Sequence, residues 1–188
     1  AGVVRQAVAC NFNVDFVTQA EQLGTGHAVQ CALPQLEPAI ENVVILCGDV
    51  PLLTPATVKG LLTRHVQSQS DITVLAVEVA DPTGYGRVMV NARGHLEGII
   101  EEADATDRQK RITLINSGIY CVRKAVLETT LKQVQADNAQ REFYLTDIVG
   151  IGHRQGLRLG VEIGDDAQEV MGINTCAELE RAEKLLNS

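Results

Sequence analysis

The sequence predicts an α/β fold in which a mixed, mostly parallel sheet carries helices on both faces. Strand and helix signals alternate along all 188 residues. Residues 43–46 are all apolar, as in a strand that is buried on both faces of a sheet. This run ends abruptly at Gly48, Asp49 and then Pro51, and open α/β sheets bind their ligands at such carboxyl ends of strands.

Length and composition indicate one domain, residues 1–188, with a sizeable core. Hydrophobic residues make up 45% of the chain, which excludes a disordered protein. The net charge of −8 gives no electrostatic footprint for nucleic acid or for an anionic membrane. The sequence has no apolar run long enough to span a bilayer and no signal-peptide pattern over residues 1–16.

The five cysteines are odd in number, widely spaced and without a C-x-x-C pair, and the four histidines do not cluster at ligand spacings. This pattern indicates reduced thiols rather than a disulfide framework, and it argues against a zinc site. We therefore expect a cytoplasmic protein.

Apolar spacing and turn residues predict the individual elements. Thr54 and Pro55 are typical N-cap and first-turn residues of a helix. Arg93 and Gly94 are typical turn residues that join two strands in a hairpin. The predicted helices cover residues 2–10, 26–36, 55–68, 104–110, 124–136, 144–155 and 176–186. The predicted strands cover residues 14–17, 43–47, 72–79, 87–91, 96–101, 112–122 and 157–163.

Asp49, at the end of the predicted buried strand, is the first candidate for chemistry. A lone carboxylate that is buried there requires a partner, and Mg²⁺ next to a phosphate is a suitable one. The alternative is that Asp49 forms a turn or caps the next helix, since Asp before Pro is common in turns.

Two glycine-containing loops can bring the backbone close to a ligand. Residues 19–26 join a strand to a helix and hold either a base edge or a phosphate, or form an ordinary turn. Residues 81–87 form either a loop against a sugar with Arg87 near a phosphate, or a hairpin turn with a surface arginine.

Further polar residues stand where plain connections would not need them. Glu101 and Glu102 leave a strand together, and because adjacent strand residues face opposite sides, only one can face a pocket while the other is solvated. Asn116 lies inside an apolar strand, where it either contacts a ligand or hydrogen-bonds a bulge. Asn174 either ligates a metal or caps the last helix, a role that Thr175 can also fill.

Seven motifs occur together, and as a set they are far more specific than any one of them. In chain order they are QAEQLGTGHA, LCGDVPLL, DPTGYGR, IIEEADAT, INSGIY, REFYLTDI and VMGINT. On these motifs the chain resembles, over essentially its whole length, the uridylyltransferase domain of the bacterial bifunctional N-acetylglucosamine-1-phosphate uridylyltransferase/glucosamine-1-phosphate acetyltransferases. The resemblance implies a Rossmann-like nucleotide-diphospho-sugar transferase fold.

The resemblance also implies a reaction. N-Acetylglucosamine 1-phosphate attacks the α-phosphorus of UTP in line, which forms UDP-N-acetylglucosamine, a precursor of cell-wall peptidoglycan, and releases pyrophosphate. The attacking phosphate oxygen is already ionised, so no general base is needed, and catalysis consists of positioning and of charge neutralisation by Mg²⁺ and cations.

The resemblance assigns roles to the residues at matching positions. The uracil of UTP is read by Gln19, Gly24 and Thr25. The ribose and the metal are contacted by Gly48 and Asp49. N-Acetylglucosamine is contacted by Gly86, Glu101 and Asn116. The second protein ligand of Mg²⁺ is Asn174, so the expected catalytic pair is Asp49 and Asn174.

The chain also departs from the family. Nothing in residues 1–16 matches its opening strand, its Gly-rich phosphate loop L-A-A-G-x-G-T-R-M or the downstream lysine, and its C-terminal β-helix domain is absent. Within the chain, Cys47 stands where an aromatic residue is common, and Glu102 and Ala103 stand where basic residues are often found.

The missing opening strand has consequences for assembly and activity. Residues 43–47 would present an unpaired apolar edge, so we expect either a fragment of a longer product or a homo-oligomer that covers this edge. Three functions remain open: a nucleotidyltransferase, a catalytically inactive module that binds sugar nucleotides, and a structural protein that keeps only the fold. Transferases of glucose 1-phosphate with UTP or dTTP share the scaffold, and the resemblance at Glu101 and Asn116 favours N-acetylglucosamine.

Overall fold

A computed structural model of the chain describes residues 2–173 and 175–186. The strands in these ranges are β1 (Asn42–Ile45), β2 (Ile72–Glu78), β3 (Arg87–Val90), β4 (Leu96–Ile100), β5 (Leu114–Arg123) and β6 (Leu159–Gly164). The α-helices are α1 (Gly2–Ala9), α2 (Thr25–Ala32), α3 (Pro55–Gln67), α4 (Lys124–Leu131), α5 (Asp147–Arg154) and α6 (Cys176–Leu186). Helices stand before, between and after the strands, and the predicted α/β class is confirmed, although β2 to β5 follow one another without an intervening α-helix.

β5 lies at the centre of the sheet. Its Tyr120 pairs with Val74 of β2 on one edge and with Ile45 of β1 on the other, both antiparallel. β3 pairs with β5 at Arg87 and Ile115, and β4 pairs with β3 as the second strand of the predicted hairpin. β6 lies outside β2 and runs parallel to it.

The sheet is mixed, as predicted, but the share of parallel pairing is lower than predicted. Among the described strands only β2 and β6 pair in parallel, while the other pairs are antiparallel. The reason is the direction of β5, which runs against both neighbours over its length, together with the local hairpin of β3 and β4.

Helices cover both faces of the sheet, as predicted. Because strand side chains alternate, β2 directs Ile72 and Val74 to one core and Leu75 and Val77 to another. The first core contains α4 and α5 through Leu127, Leu131, Ile148 and Val149. The second contains Leu61 of α3 and Val170.

The predicted helix starts are confirmed where a cap defines them. Thr54 Oγ1 accepts a hydrogen bond from Thr57 N at 3.2 Å, and Pro55 follows as the first residue of α3. At α6, Thr175 Oγ1 accepts from Glu178 N at 3.3 Å, and the Glu178 carboxylate accepts from Thr175 N at 2.8 Å. This reciprocal capping box makes Thr175 the cap. Asn174, the other candidate, lies outside the described residues.

Two predicted elements are wrong. Residues 14–17 form no strand, because none of the strands that the structure describes pairs with them, and Val14 and Val17 remain 47% and 41% exposed. Residues 104–110 form no α-helix and instead lie within two 3₁₀ turns and their connection, Glu102–Asp104 and Gln109–Arg111. There the Asp104 carboxylate accepts from Ala139 N at 2.9 Å, a distant contact that local spacing does not reveal.

The strand predicted to be buried on both faces is half-buried. β1 ends at Ile45, and Leu46 is 50% exposed. The cause is the position of β1 at the edge of the sheet, where β5 is its one partner among the described strands. An edge that no other described strand pairs is therefore present, but it covers β1, Asn42–Ile45, and not the predicted residues 43–47.

No helix within residues 2–173 and 175–186 combines the length and the apolar character that crossing a membrane requires.

Candidate functional site

Three of the predicted site residues meet at one end of the sheet, and we call them the β3–β5 cluster: Gly86, Glu101 and Asn116. Gly86 precedes β3, Glu101 follows β4, and Asn116 lies in β5. Asn116 N donates to Gly86 O at 2.8 Å. A Cβ atom at Gly86 would lie 3.2 Å from Glu101 Oε2 and 3.5 Å from Asn116 Cβ. At Gly86 the backbone thus approaches the Glu101 carboxylate and the Asn116 side chain so closely that a Cβ atom would press against both Glu101 and Ile99.

Glu101 is held by a neighbour that the sequence did not single out. Thr146 Oγ1 donates to Glu101 Oε1 at 2.9 Å. Desolvation by burial raises the pKa of Glu101, the carboxylates of Asp147 and Asp104 raise it further, and the Thr146 hydrogen bond opposes them. The carboxylate therefore lies in surroundings that favour hydrogen-bond donors from a ligand.

Asn116 is oriented by two donors. Its Oδ1 accepts from Tyr120 Oη at 3.0 Å and from Gly118 N at 3.2 Å. A backbone N–H can only donate, which fixes Oδ1 on this side of the amide. Burial raises the pKa of the Tyr120 phenol, so Tyr120 stays a donor. Among the described residues, Asn116 Nδ2 has no acceptor, and it is available to a ligand.

The alternative prediction, that Asn116 hydrogen-bonds a bulge in its strand, is also confirmed. Gly118 has a φ of 78° where the pairing of β5 with β2 shifts register. The predicted interruption of this strand is confirmed, and Asn116 bonds it through the Gly118 amide.

The loop over residues 19–26, which we call the α2 loop, contains the next three predicted residues. Gln19 Nε2 donates to Gly24 O at 3.1 Å and lies 3.1 Å from His27 Nδ1. Gly24 has a φ of 111°, and a Cβ atom there would lie 2.7 Å from Phe143 O. Thr25 Oγ1 accepts from Leu145 N at 3.0 Å. The loop is therefore tightly fixed against another part of the chain.

That other part is residues 142–147, which we call the bridging segment. Gly26 N donates to Phe143 O at 2.7 Å, and Phe143 N donates to Leu23 O at 2.8 Å. Three residues further on, Thr146 contacts Glu101. The bridging segment thus joins the α2 loop to the β3–β5 cluster. This segment lies in the motif REFYLTDI, to which the sequence analysis assigned no role. The polar Thr146 and Asp147 among apolar residues were the signal that could have indicated a functional contact.

Gly48 and Asp49, which we call the β1 terminus, are exposed. Asp49 lines a cleft of about 410 Å³ together with Tyr85, Ser117 and Gly172. Because Asp49 is exposed, burial creates no requirement for a paired cation, contrary to the prediction. Its carboxylate forms no ion pair with any Lys or Arg of the described residues, so it remains free to bind a cation.

Asn174, the predicted partner of Asp49 in metal binding, lies outside the described residues. Its chain neighbour Ile173 donates from N to Asp49 O at 2.8 Å, which brings this segment against the β1 terminus. A carboxylate oxygen at the end of a strand fits the hard oxygen ligands of Mg²⁺.

Arg87 occupies neither of its two predicted positions. Its side chain is 1% exposed, and its guanidinium Nη2 donates to Glu102 Oε2 at 2.6 Å. β4 ends at Ile100, so Glu101 and Glu102 lie beyond the strand and the predicted strand alternation does not apply to them. They have separate partners, Thr146 for Glu101 and Arg87 for Glu102. Glu102 is not simply solvated, however, because Arg87 and, at 4.0 Å, Lys110 Nζ lie beside it.

A larger cavity of about 690 Å³ lies elsewhere, near the start of β1 and the end of β5. It is lined by Asn42, His65 and Arg123, and none of the predicted site residues reaches it. His65 is buried there, its Nε2 3.1 Å from Asn42 Oδ1 and its Nδ1 2.8 Å from Thr73 Oγ1. These bonds explain the residue as a satisfied core histidine.

Comparison with known proteins agrees with this arrangement. The family described as nucleotidyl transferase matches residues 3–162. The chain is 49% identical over 174 residues to the bifunctional protein GlmU of Geotalea uraniireducens, which covers 93% of this chain and 38% of that protein. It is 43% identical over 174 residues to the GlmU of Corynebacterium efficiens, covering 93% of this chain and 36% of the relative. With the GlmU of Trichlorobacter lovleyi the identity is 39% over 186 residues, or 99% and 40% of the two chains. The chain thus spans well under half the length of these relatives.

Proposed function

This chain belongs to the nucleotidyl transferase family, and we propose that it forms UDP-N-acetylglucosamine and pyrophosphate from UTP and N-acetylglucosamine 1-phosphate. The observation that carries the proposal is the convergence of Gly86, Glu101 and Asn116, which come from three separate segments of the chain. The product would be a cytoplasmic precursor of cell-wall peptidoglycan.

In this proposal the β3–β5 cluster binds the sugar. The Glu101 carboxylate accepts hydrogen bonds from sugar O–H or N–H groups, and Asn116 Nδ2 donates to a sugar oxygen. Gly86 lets the sugar approach the backbone because no side chain stands there. Thr146 and Tyr120 support the proposal, since they hold these two side chains in place before any ligand arrives.

The α2 loop and the β1 terminus bind the nucleotide in the same proposal. Gln19, Gly24 and Thr25 contact the uracil, and Gly48 lies at the ribose. Asp49 and Asn174 would hold Mg²⁺, which when bound neutralises charge on the phosphates. The exposed carboxylate of Asp49 and its freedom from ion pairs among the described residues support this assignment.

The chemical step is an in-line displacement. A phosphate oxygen of the sugar 1-phosphate forms a bond to the α-phosphorus of UTP. The bond from that phosphorus to the oxygen bridging to the β-phosphorus breaks, and its electron pair leaves with pyrophosphate. No proton has to move, because the nucleophile is already ionised, so the protein contributes by positioning the two substrates.

A second candidate, binding of the sugar nucleotide without turnover, is favoured by one observation. Among the described residues that line the cleft at Asp49 there is no Lys or Arg. Charge developing on a triphosphate is usually stabilised by such cations. A chain that has the sugar and uridine contacts but lacks cations around the triphosphate would bind the product, UDP-N-acetylglucosamine, and release no pyrophosphate.

Pyrophosphate release from UTP and N-acetylglucosamine 1-phosphate with Mg²⁺ tests the proposal, with Asp49→Ala as the matched control. Release that the control lacks supports the enzyme. No release, combined with calorimetric binding of UDP-N-acetylglucosamine, supports the binding module. Absence of both contradicts the two candidates and leaves a structural role. Glucose 1-phosphate and dTTP as competing substrates test the specificity of the sugar and the base.

Asp49→Ala also tests the metal on its own. We expect this variant to lose Mg²⁺-dependent binding of UTP, because it lacks the carboxylate ligand. Equal affinity of the variant with and without Mg²⁺, at the wild-type level, would refute the assignment of Asp49.

The open edge of β1 leads to a proposal about assembly. β1 has β5 as its one strand partner among the described residues, and an uncovered edge can pair with another chain. We propose that a second copy of the chain covers it. A single monomeric species in sedimentation velocity at micromolar concentration would contradict this proposal.

A further inference from the structure

Arg87 is a buried cation whose hydrogen bonds are all supplied by three nearby segments. Its Nη2 donates to Glu102 Oε2 at 2.6 Å, and its Nη1 donates to Tyr85 O. Nε and Nη2 also lie 3.4 and 3.3 Å from Lys110 O. The guanidinium therefore joins the segment before β3, the segment after β4 and the turn at Lys110. Buried charges occur where they are paired and hydrogen-bonded in this way.

The position of this ion pair relative to the β3–β5 cluster is informative. Gly86 and Arg87 are neighbours in the chain, and so are Glu101 and Glu102. Gly86 and Glu101 approach each other on the cluster side, where a Cβ at Gly86 would lie 3.2 Å from Glu101 Oε2. Arg87 and Glu102 form an ion pair of their own at 2.6 Å. The ion pair is thus formed by the chain neighbours of the two residues whose contact forms the proposed sugar site.

A second feature connects the pair to the backbone of the cluster. The acceptor of Arg87 Nη1 is the carbonyl of Tyr85, the residue before Gly86. Gly86 is therefore flanked on one side by the residue that carries the guanidinium and on the other by a carbonyl that the guanidinium binds. Removing the charge of Glu102 leaves Arg87 buried without its counter-ion, so the guanidinium must shift or recruit water. Because the guanidinium also binds the Tyr85 carbonyl, a shift of Arg87 would act on the backbone that holds Gly86 against Glu101.

We propose that the Arg87–Glu102 ion pair is a positioning device that sets Glu101 against Gly86 and so determines affinity for the sugar part of the ligand. The inference rests on the proposed function and deepens it. Of the two consecutive glutamates, Glu101 contacts the sugar, while Glu102 acts through Arg87 and touches no substrate.

Glu102→Gln tests the device, because it keeps the shape of the side chain and removes its charge. The measurement is calorimetric affinity for UDP-N-acetylglucosamine and, separately, for UDP. We expect UDP-N-acetylglucosamine to bind about ten- to hundredfold more weakly, because a displacement of Glu101 by up to about 1 Å disturbs its contacts with the sugar. The affinity for UDP should stay at the wild-type value. Equal weakening of both ligands would indicate general damage to the fold and would overturn the inference.

Glu97→Gln is the matched control, since Glu97 lies on the same strand, β4, and forms no ion pair with the described residues. We expect wild-type affinity for both ligands. A second test uses Glu101→Gln as background: if Glu102 acts by positioning Glu101, adding Glu102→Gln there should cause little further loss. Additive losses would contradict that order of action.

The outcomes separate the two proposals. A wild-type chain that does not bind UDP-N-acetylglucosamine refutes the proposed function itself. A wild-type chain that binds it, with Glu102→Gln unchanged, refutes only the positioning role. If Glu102→Gln does not fold, Glu102→Asp replaces it, because it keeps the charge but moves it one methylene further from Arg87. Weaker binding of UDP-N-acetylglucosamine with unchanged binding of UDP would again support the positioning role, and any other result would refute it.

Discussion

The two halves of the candidate site differ in how they are supported. In the β3–β5 cluster each polar side chain has a partner of its own, Thr146 for Glu101 and Tyr120 for Asn116. At the β1 terminus Gly48 and Asp49 are exposed at the end of an edge strand. Groups that recognise a neutral sugar need fixed directions, because their energy comes from hydrogen-bond geometry. The Asp49 carboxylate forms no ion pair with the described residues, so we expect a bound cation, rather than the surrounding chain, to set its direction.

The α2 loop belongs with the supported half, although it is distant in sequence from the cluster. The bridging segment binds the loop through Phe143 and Leu145 and binds Glu101 through Thr146. A disturbance of this segment therefore reaches both the proposed uracil contacts and the proposed sugar contacts. The β1 terminus has no such link to the bridging segment among the described hydrogen bonds, so it should respond independently.

The sharpest test of this difference uses two glycines. Gly24→Ala places a Cβ 2.7 Å from Phe143 O, a backbone atom, at a residue whose φ of 111° disfavours any side chain. We expect the free energy of unfolding to fall by about 2–4 kcal/mol, from backbone strain and overpacking together. Urea unfolding measures the change.

Gly48→Ala is the matched control at the β1 terminus. Nothing lies within 4 Å of a Cβ atom there, so we expect a change within about 0.5 kcal/mol. Comparable losses in the two variants would show that the β1 terminus is as firmly packed as the α2 loop, and the contrast between the halves would fail.

A smaller effect is expected inside the β3–β5 cluster. Asn116→Ala removes the acceptor of Tyr120 Oη, and the buried hydroxyl loses its hydrogen bond. An unsatisfied buried donor costs about 1–3 kcal/mol, so the free energy of unfolding should fall by that amount. Thermal and urea unfolding measure the change. Asp49→Ala, the same truncation at the exposed β1 terminus, should change it by less than about 0.5 kcal/mol.

Adding Tyr120→Phe to Asn116→Ala distinguishes the cause. Once the hydroxyl is absent, no donor is left unsatisfied, and the double variant should recover part of the loss. If the double variant is less stable than Asn116→Ala alone, lost packing rather than an unsatisfied hydroxyl explains the effect.

Sequence patterns predicted the elements that local chemistry defines. Thr54 and Pro55 start α3, and Arg93 and Gly94 turn the hairpin, because caps and turns depend on residues close in sequence. The prediction of a strand at residues 14–17 was wrong because a strand depends on residues that are distant in sequence: it forms only where another strand pairs with it.

The same distinction applies to the site. The resemblance indicated Gly86, Glu101 and Asn116, and the structure brings them together. Their supports were not predictable, because Thr146 reaches Glu101 across 45 positions and Arg87 reaches Glu102 across 15, contacts that depend on strand register and tertiary packing. Arg87 shows the limit clearly: its neighbours in sequence suggested a surface loop, while the register of β3 buries it.

The smallest effect that we predict is a pH dependence of stability and affinity that comes from Glu101 in the β3–β5 cluster. Burial raises the pKa of Glu101 in the folded chain above the ordinary glutamate value of about 4.5. The folded state therefore takes up the proton first, so this group's contribution to stability is fully present below pH 4.5 and is lost as the pH rises through the folded pKa. Urea unfolding as a function of pH, with Glu101→Gln as the control, measures this slope, which the control should lack.

Affinity should change in the opposite direction over the same interval. A sugar O–H or N–H that donates to Glu101 requires the ionised carboxylate, so affinity for UDP-N-acetylglucosamine should fall as the pH drops through the raised pKa. The part of the stability that Glu101→Gln removes should therefore rise on acidification while the affinity falls, and a fall of both would contradict a desolvated Glu101.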